Sequence, residues 1–235
     1  MTTNRRVFLR IAATAPLLLA LPARAAPMKI GVIGSGRVGG TLGGLWVEAG
    51  HEVMFSAREI GEVAELVAGL GPRAHAGTPK QAAAFGEAVL ISVPYAALPQ
   101  VGRDNSAELQ GKPVLDTCNP IERRDGEMAA AARAKGTGVA SAELLPGARL
   151  VRAFNCVSYL SMRSEAHRAG EKLAIPLAAD DPGALQVAIG LVRDAGFEPV
   201  VVGGLARARE FDVGTPIFGR AVTARELRAI LGLSS

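Results

Sequence analysis

The sequence predicts an α/β fold: a doubly wound, mainly parallel sheet with helices on both faces and a small carboxyl-terminal α/β extension. Three observations carry this expectation. Short apolar, β-branched runs alternate with Ala-rich helical stretches over most of the chain. A glycine-rich turn, Gly34-Ser35-Gly36-Arg37-Val38-Gly39, separates the first such run from the first helical stretch. Composition is 49% hydrophobic but only 4% aromatic, which suits a core of Ala, Val and Leu packed between layers.

Residues 1–25 are read separately, because they look like an address rather than part of a fold. Arg5-Arg6-Val7-Phe8-Leu9-Arg10 is a twin-arginine run, and Ile11 to Leu21 is an apolar stretch shorter than the roughly 20 residues a spanning helix needs. Ala23-Arg24-Ala25 then supplies a small-x-small cleavage site. The expectation is a twin-arginine signal cleaved after Ala25, export to the periplasm by the twin-arginine machinery, and no membrane attachment afterwards. Without Arg5, Arg6, Arg10 and Arg24, the 26 basic residues of the whole chain fall to 22, equal to its 22 acidic ones. The apparent basicity, pI about 9.4, therefore belongs to the leader and gives no reason to expect a nucleic-acid partner.

The remaining elements follow in order. Strands are expected near Lys29–Ile33, Glu52–Phe55, Arg73–Ala76, Ala88–Val93, Pro113–Thr117, Leu150–Phe154, Leu173–Leu177 and Pro199–Val202, with helices between them. Thr78-Pro79 and Asp181-Pro182 each offer an N-cap followed by proline at the first helical position, and Thr223 to Glu226 is a capping box. Gly203-Gly204, after the last strand, is a candidate hinge. The division expected is 28–155 for a cofactor-binding domain and 156–235 for an extension closing over its crevice.

Chemistry concentrates at the glycine-rich turn. Gly34 permits the tight turn, Gly36 lets a pyrophosphate approach the backbone, and Gly39 lets the helix lie against the strand, while Ser35, Arg37 and Val38 complete the anion-facing loop. A strand on one side and a helix on the other make this a Rossmann-type dinucleotide-binding unit. An NAD site places an acid about 20 residues on, to hold the ribose 2′-hydroxyl. Here that position is Ser56, followed by Ala57 and Arg58. A hydroxyl and a guanidinium favour a 2′-phosphate, and a charge-assisted hydrogen bond contributes about 1.5–3 kcal/mol, enough to select NADP(H). Glu59 is the nearest contrary charge, on a residue expected to point elsewhere.

The run from Met28 to Gly39, with Phe55-Ser56-Ala57-Arg58, resembles the NADPH-dependent coenzyme F420 reductase family, to which the NADPH-binding domains of STEAP metalloreductases are related. The similarity continues through Val93-Pro94-Tyr95, Asp116 to Pro120, Ala153-Phe154-Asn155 and Gly203 to Glu210. It implies a homodimeric reductase passing hydride between NADP(H) and a planar acceptor, a deazaflavin or similar electron carrier, with Val93 and Ala153 among the cofactor contacts. A ferric or flavin reductase and a non-catalytic NADP(H)-binding module are the alternatives. The β-hydroxyacid dehydrogenase and pyrroline-carboxylate reductase relatives rank lower, because they append a long helical domain whereas two strand patterns follow Asn155.

Geometry points the same way without the family. Gly34, Ser56, Pro94, Asn119 and Asn155 each fall at the carboxyl end of a separate expected strand, where open parallel sheets bind ligands. Pro94 and Tyr95 could buttress the cofactor or pack under the loop. Asn119 and Asn155 could bond ribose or carboxamide, or serve as loop caps. No nucleophile–base grouping and no metal-ligand spacing stands out, so no catalytic side chain is assigned; hydride transfer between stacked rings needs positioning above all. His51 and the Asp180-Asp181 pair read as structural. Cys118 and Cys156 lie past neighbouring strands and could pair, although two separate buried thiols is the favoured reading.

Overall fold

The computed structural model describes residues 26–234. Strands β1 (Lys29–Ile33), β2 (Glu52–Ser56), β3 (Ala74–Gly77), β4 (Ala88–Ile91), β5 (Pro113–Asp116), β6 (Arg149–Arg152), β7 (Ala174–Ala179) and β8 (Glu198–Gly203) form one eight-stranded sheet ordered β3-β2-β1-β4-β5-β6-β7-β8. The first six pair in parallel, in the doubly wound order with its switch point between β1 and β4. The expected twin-arginine signal lies outside the described residues.

The sheet is central because its inner strands are covered on both faces. Every residue of β4, β5 and β7 is buried, as covering both faces with helices requires. Alternation along each strand divides the core in two: Ile30, Val32 and Leu90 face one side with Trp46 and Phe55, while Ile33, Val89 and Ile91 face the other with Tyr95 and Leu98. Helix Arg37–Glu48 lies on the first side, pinned to helix Pro182–Asp194 by a 2.8 Å bond from Trp46 Nε1 to the Leu191 carbonyl. His51 joins that seam, its Nδ1 accepting from the Met28 amide at 3.2 Å and its Nε2 facing Asp194 at 3.2 Å.

Expected caps form. Thr78 accepts from the Gln81 amide and Gln81 reciprocates, Thr223 and Glu226 do the same, and Asp181 accepts from the Ala184 amide. Asp180 turns away and accepts from Leu205 N at 2.8 Å, so the Gly203-Gly204 bend proposed as a hinge is tied down on its far side.

Two strands stop two residues short of expectation, while the other ends shift by no more than two. β4 stops at Ile91 rather than Val93, because Pro94 has no N–H to continue a ladder and imposes its geometry on the residue before it. β6 stops at Arg152 rather than Phe154, whose φ of +59° turns the chain out of the strand.

The extension also departs from a simple appendage, for β7 and β8 join the main sheet and run against the other six. β7 meets β6 only where Ala178–Ala179 pass Val151–Arg152, so Ala174 to Leu177 stand beyond the carboxyl end of β6. They form a wall on the side where the crevice lies.

Candidate functional site: the crevice at the carboxyl ends of the strands

The glycines of the turn separate into two kinds when a Cβ is placed on each. Gly34 has φ +94°, and a Cβ there would stand 2.3 Å from the Ser92 carbonyl oxygen. At Gly39 it would stand 2.1 Å from the Gly34 carbonyl oxygen, where helix and strand touch. The fold itself requires both. Gly36 has φ −70°, and a Cβ would meet nothing within 4 Å. No side chain caps the helix that begins there, so no capping group takes its first amides. A pyrophosphate lying across Gly36 fits this cradle in charge and in room.

The end of β2 is cinched to this loop. The Ser56 carbonyl accepts from Gly34 N at 3.1 Å, Ser35 N at 3.0 Å and Ser35 Oγ at 3.1 Å. The Ser56 hydroxyl is turned inward, donating to the Val32 carbonyl at 2.8 Å from a fully buried position. Ser56 is thereby corrected as a 2′-phosphate ligand: its side chain bonds the neighbouring strand, and its backbone supports the loop. Arg58 is exposed, and no hydrogen bond or ion pair engages it among the described residues. Glu59 is exposed beside it.

Arg37 is exposed with its guanidinium 5.3 Å over the ring of Tyr159, while Val38 packs against the core. A groove of about 590 Å³ opens from Ser35, Gly36 and Arg37 and follows the helix between Leu66 and Tyr159. It runs along the outer side of the helix, so it adjoins the phosphate loop rather than the strand ends that Asn119 and Asn155 occupy.

At those strand ends Val93 presses against Gly34 and Pro94 is exposed. Tyr95 is fully buried, with its hydroxyl 3.5 Å from Ser141 Oγ, and burial pushes its pKa up to about 12. It props the loop from beneath, the packing role that was the alternative to cofactor contact. Ala153 is also fully buried and continues the ladder, its N–H meeting the Asp116 carbonyl at 3.3 Å, so its side chain offers a ligand no surface. Asp125 fixes the same loop by accepting from Ala96 N and Ile121 N. Burial alone would raise its pKa, but Arg124 and the two amides hold it below the ordinary range.

Asn119 and Asn155 come together around a group that the sequence reading missed. Arg152, fully buried at the end of β6, donates to Asp116 Oδ2 at 3.0 Å, Asn119 Oδ1 at 3.0 Å and Asp212 Oδ1 at 3.2 Å. Asn119 Nδ2 bonds the Asn155 carbonyl at 2.7 Å, and Asn155 Nδ2 donates to the Phe211 carbonyl at 3.2 Å and Asp212 Oδ1 at 3.4 Å. Burial alone would lower the pKa of Arg152, yet the two aspartates outweigh it and hold it above the ordinary value. A usable signal existed: Asp116 and Arg152 are opposite charges at register partners at the ends of two neighbouring strands. Asp212 carried none, being near only through tertiary structure.

Cys118 and Cys156 are both free and buried. Burial, with Asp116 adding to it, pushes the Cys118 pKa well up, and burial takes that of Cys156 to about 12. Neither is an activated thiolate.

Comparison with known proteins bears out the resemblance over the first five strands; the stretches at Ala153-Phe154-Asn155 and Gly203 to Glu210 lie outside the family match. Residues 29–120 match the family described as NADP oxidoreductase, coenzyme F420-dependent. No curated protein matches the sequence. Among solved structures, a hypothetical protein from Sinorhizobium meliloti superimposes with TM-score 0.74 at 21% identity, over 84% of this chain and 96% of that one. A candidate F420-dependent NADP-reductase from Arthrobacter sp. FB24 gives TM-score 0.69 at 22% identity, over 83% and 99%. The imine reductase of Myxococcus stipitatus in complex with NADP+ gives 0.56 at 20%, over 78% of this chain but 57% of that one. At these identities the likeness is one of fold.

Proposed function

We propose, from the premise that this is an NADP-dependent oxidoreductase whose residues 29–120 form a domain of the coenzyme F420-dependent family, that it passes hydride between NADP(H) and a deazaflavin or similar planar carrier. The observation that carries the cofactor half is Gly36, a glycine that the chain's own packing does not demand and that lies open at an uncapped helix start. NADP(H) supplies the hydride when bound. Gly36 and the first helical amides hold its pyrophosphate, Arg58 its 2′-phosphate, and the strand ends at Val93 and Asn119 frame its nicotinamide half. No general acid or base is assigned, in keeping with a direct transfer between rings. The acceptor is read from the family alone.

The experiment is to follow loss of reduced nicotinamide with NADPH or NADH against coenzyme F420, flavins, quinones and ferric chelates. Turnover of F420 with NADPH, and much less with NADH, is the expected result. Turnover with flavin and ferric chelate only would make it a ferric or flavin reductase, and tight NADPH binding without turnover on any acceptor would make it a binding module. Export is proposed on the twin-arginine run alone: the intact chain should reach the periplasm, and Arg5→Lys with Arg6→Lys should hold it in the cytoplasm. A homodimer is proposed from the family resemblance, with light scattering as its measure.

A further inference from the structure

The ring of polar contacts at the ends of β5 and β6 is closed: Arg152 to Asn119, Asn119 to Asn155, Asn155 to Asp212, and Asp212 back to Arg152. Within it two buried atoms have no partner, the donor Arg152 Nε and the acceptor Asn155 Oδ1, and of the two only the acceptor calls for a ligand that donates. Asn155 is 3% exposed and its Oδ1 is buried without a hydrogen-bond partner. Buried polar atoms are nearly always paired, so an orphan at a ligand-binding edge of a sheet marks a place for a ligand group.

The backbone is strained to put Asn155 there. Phe154 has φ +59°, a conformation that bulky residues rarely adopt, and its ring is fixed edge-on between Trp46, at 6.5 Å, and Phe197, at 5.9 Å. Its neighbour Asn155 is then gripped by Asp212, which is contributed by the segment following Leu205–Phe211, beyond β8.

We propose that Asn155 Oδ1 accepts a hydrogen bond from the carboxamide N–H of the nicotinamide ring, and that Asp212 and Arg152 are positioning residues that aim it. The nicotinamide half of the cofactor brings two kinds of donor to this end of the sheet, the ribose hydroxyls and the carboxamide N–H, and only the second is lost in the acetylpyridine analogue used below. The carboxyl-terminal segment is in that case part of the nicotinamide site, although the family match ends at residue 120. The inference rests on the NADP(H) reading above.

The test is equilibrium binding of three ligands to the full chain: NADP+, 2′-phospho-ADP-ribose, which lacks nicotinamide, and the 3-acetylpyridine analogue of NADP+, which keeps the ring but has no amide N–H. Wild type should bind NADP+ about tenfold more tightly than the acetylpyridine analogue, the scale of one hydrogen bond. Asn155→Ala should abolish that discrimination and leave 2′-phospho-ADP-ribose within about twofold of wild type. Asp212→Ala should reproduce the loss, and Asp212→Asn, which keeps an acceptor, should restore part of it. Asn155→Ala removes no charge, so it decides the matter even if Asp212→Ala does not fold. Equal binding of NADP+ and the analogue by wild type, or equal loss of all three ligands in Asn155→Ala, overturns the proposal while leaving the NADP(H) reading of the wild-type chain in place. Failure of wild type to bind any of the three overturns the cofactor reading as well.

Discussion

Arg58 and Gly36 are the residues whose replacement separates ligand binding from folding. Arg58 is exposed and engages no carboxylate among the described residues, so Arg58→Ala should leave the melting temperature unchanged. It should raise the KM for NADPH about ten- to a hundredfold and leave that for NADH nearly as it was, the magnitude of a charge-assisted hydrogen bond. Ser56→Ala should cost stability instead, because the hydroxyl it removes bonds Val32 inside the sheet. Alanine at Gly36 meets open space and should fold normally yet bind NADP+ poorly. Alanine at Gly34, where φ is +94°, should destabilise the chain by about 1–3 kcal/mol in urea denaturation. Similar instability in both glycine variants would show that Gly36 is structural after all.

Among the elements, the pairing of β5 with β6 holds the most exposed energetic weakness. Asp116 and Arg152 are register partners with fully buried side chains. Removing Arg152 strands two buried carboxylates, Asp116 and Asp212, so Arg152→Met should destabilise by about 3–5 kcal/mol, measured by chemical denaturation, with Asp116→Asn combined into it recovering part of the loss. Most of this level was legible in the sequence. The phosphate-loop strand, its helix and the three caps all form as their residues indicate, because each depends on local geometry. What was not legible depended on neighbours distant in sequence. Nothing near Ser56 reveals that its hydroxyl will face Val32, and nothing near Asn155 announces Asp212. Strand ends were overrun for a related reason: Val93 and Phe154 are strand-like residues stopped by a following proline and by a positive φ.

For the whole molecule, the reversal between β6 and β7 marks where the doubly wound part ends and a wall beyond it begins. An alternating pattern of strand and helix cannot show that direction, since a strand reads the same either way. The assembled core also sets an alkaline limit to stability. The Tyr95 phenol holds its proton more firmly in the folded chain, to about 12, than its ordinary value near 10. A raised value of this kind contributes fully below the unfolded pKa and is lost as pH rises through the folded one. Stability should therefore fall between about pH 10 and 12, and Tyr95→Phe should flatten that limb in alkaline denaturation. An unchanged slope in the variant would assign the fall to other groups.

Trp46 is the chain's single tryptophan, shielded from water inside the helix that starts at the phosphate loop. The molecule therefore carries a built-in optical probe. Its emission overlaps the absorption of reduced nicotinamide, so NADPH entering the crevice would quench it by energy transfer, while oxidised cofactor would quench it far less. Cofactor occupancy and redox state could be followed from one native fluorophore, with no label attached.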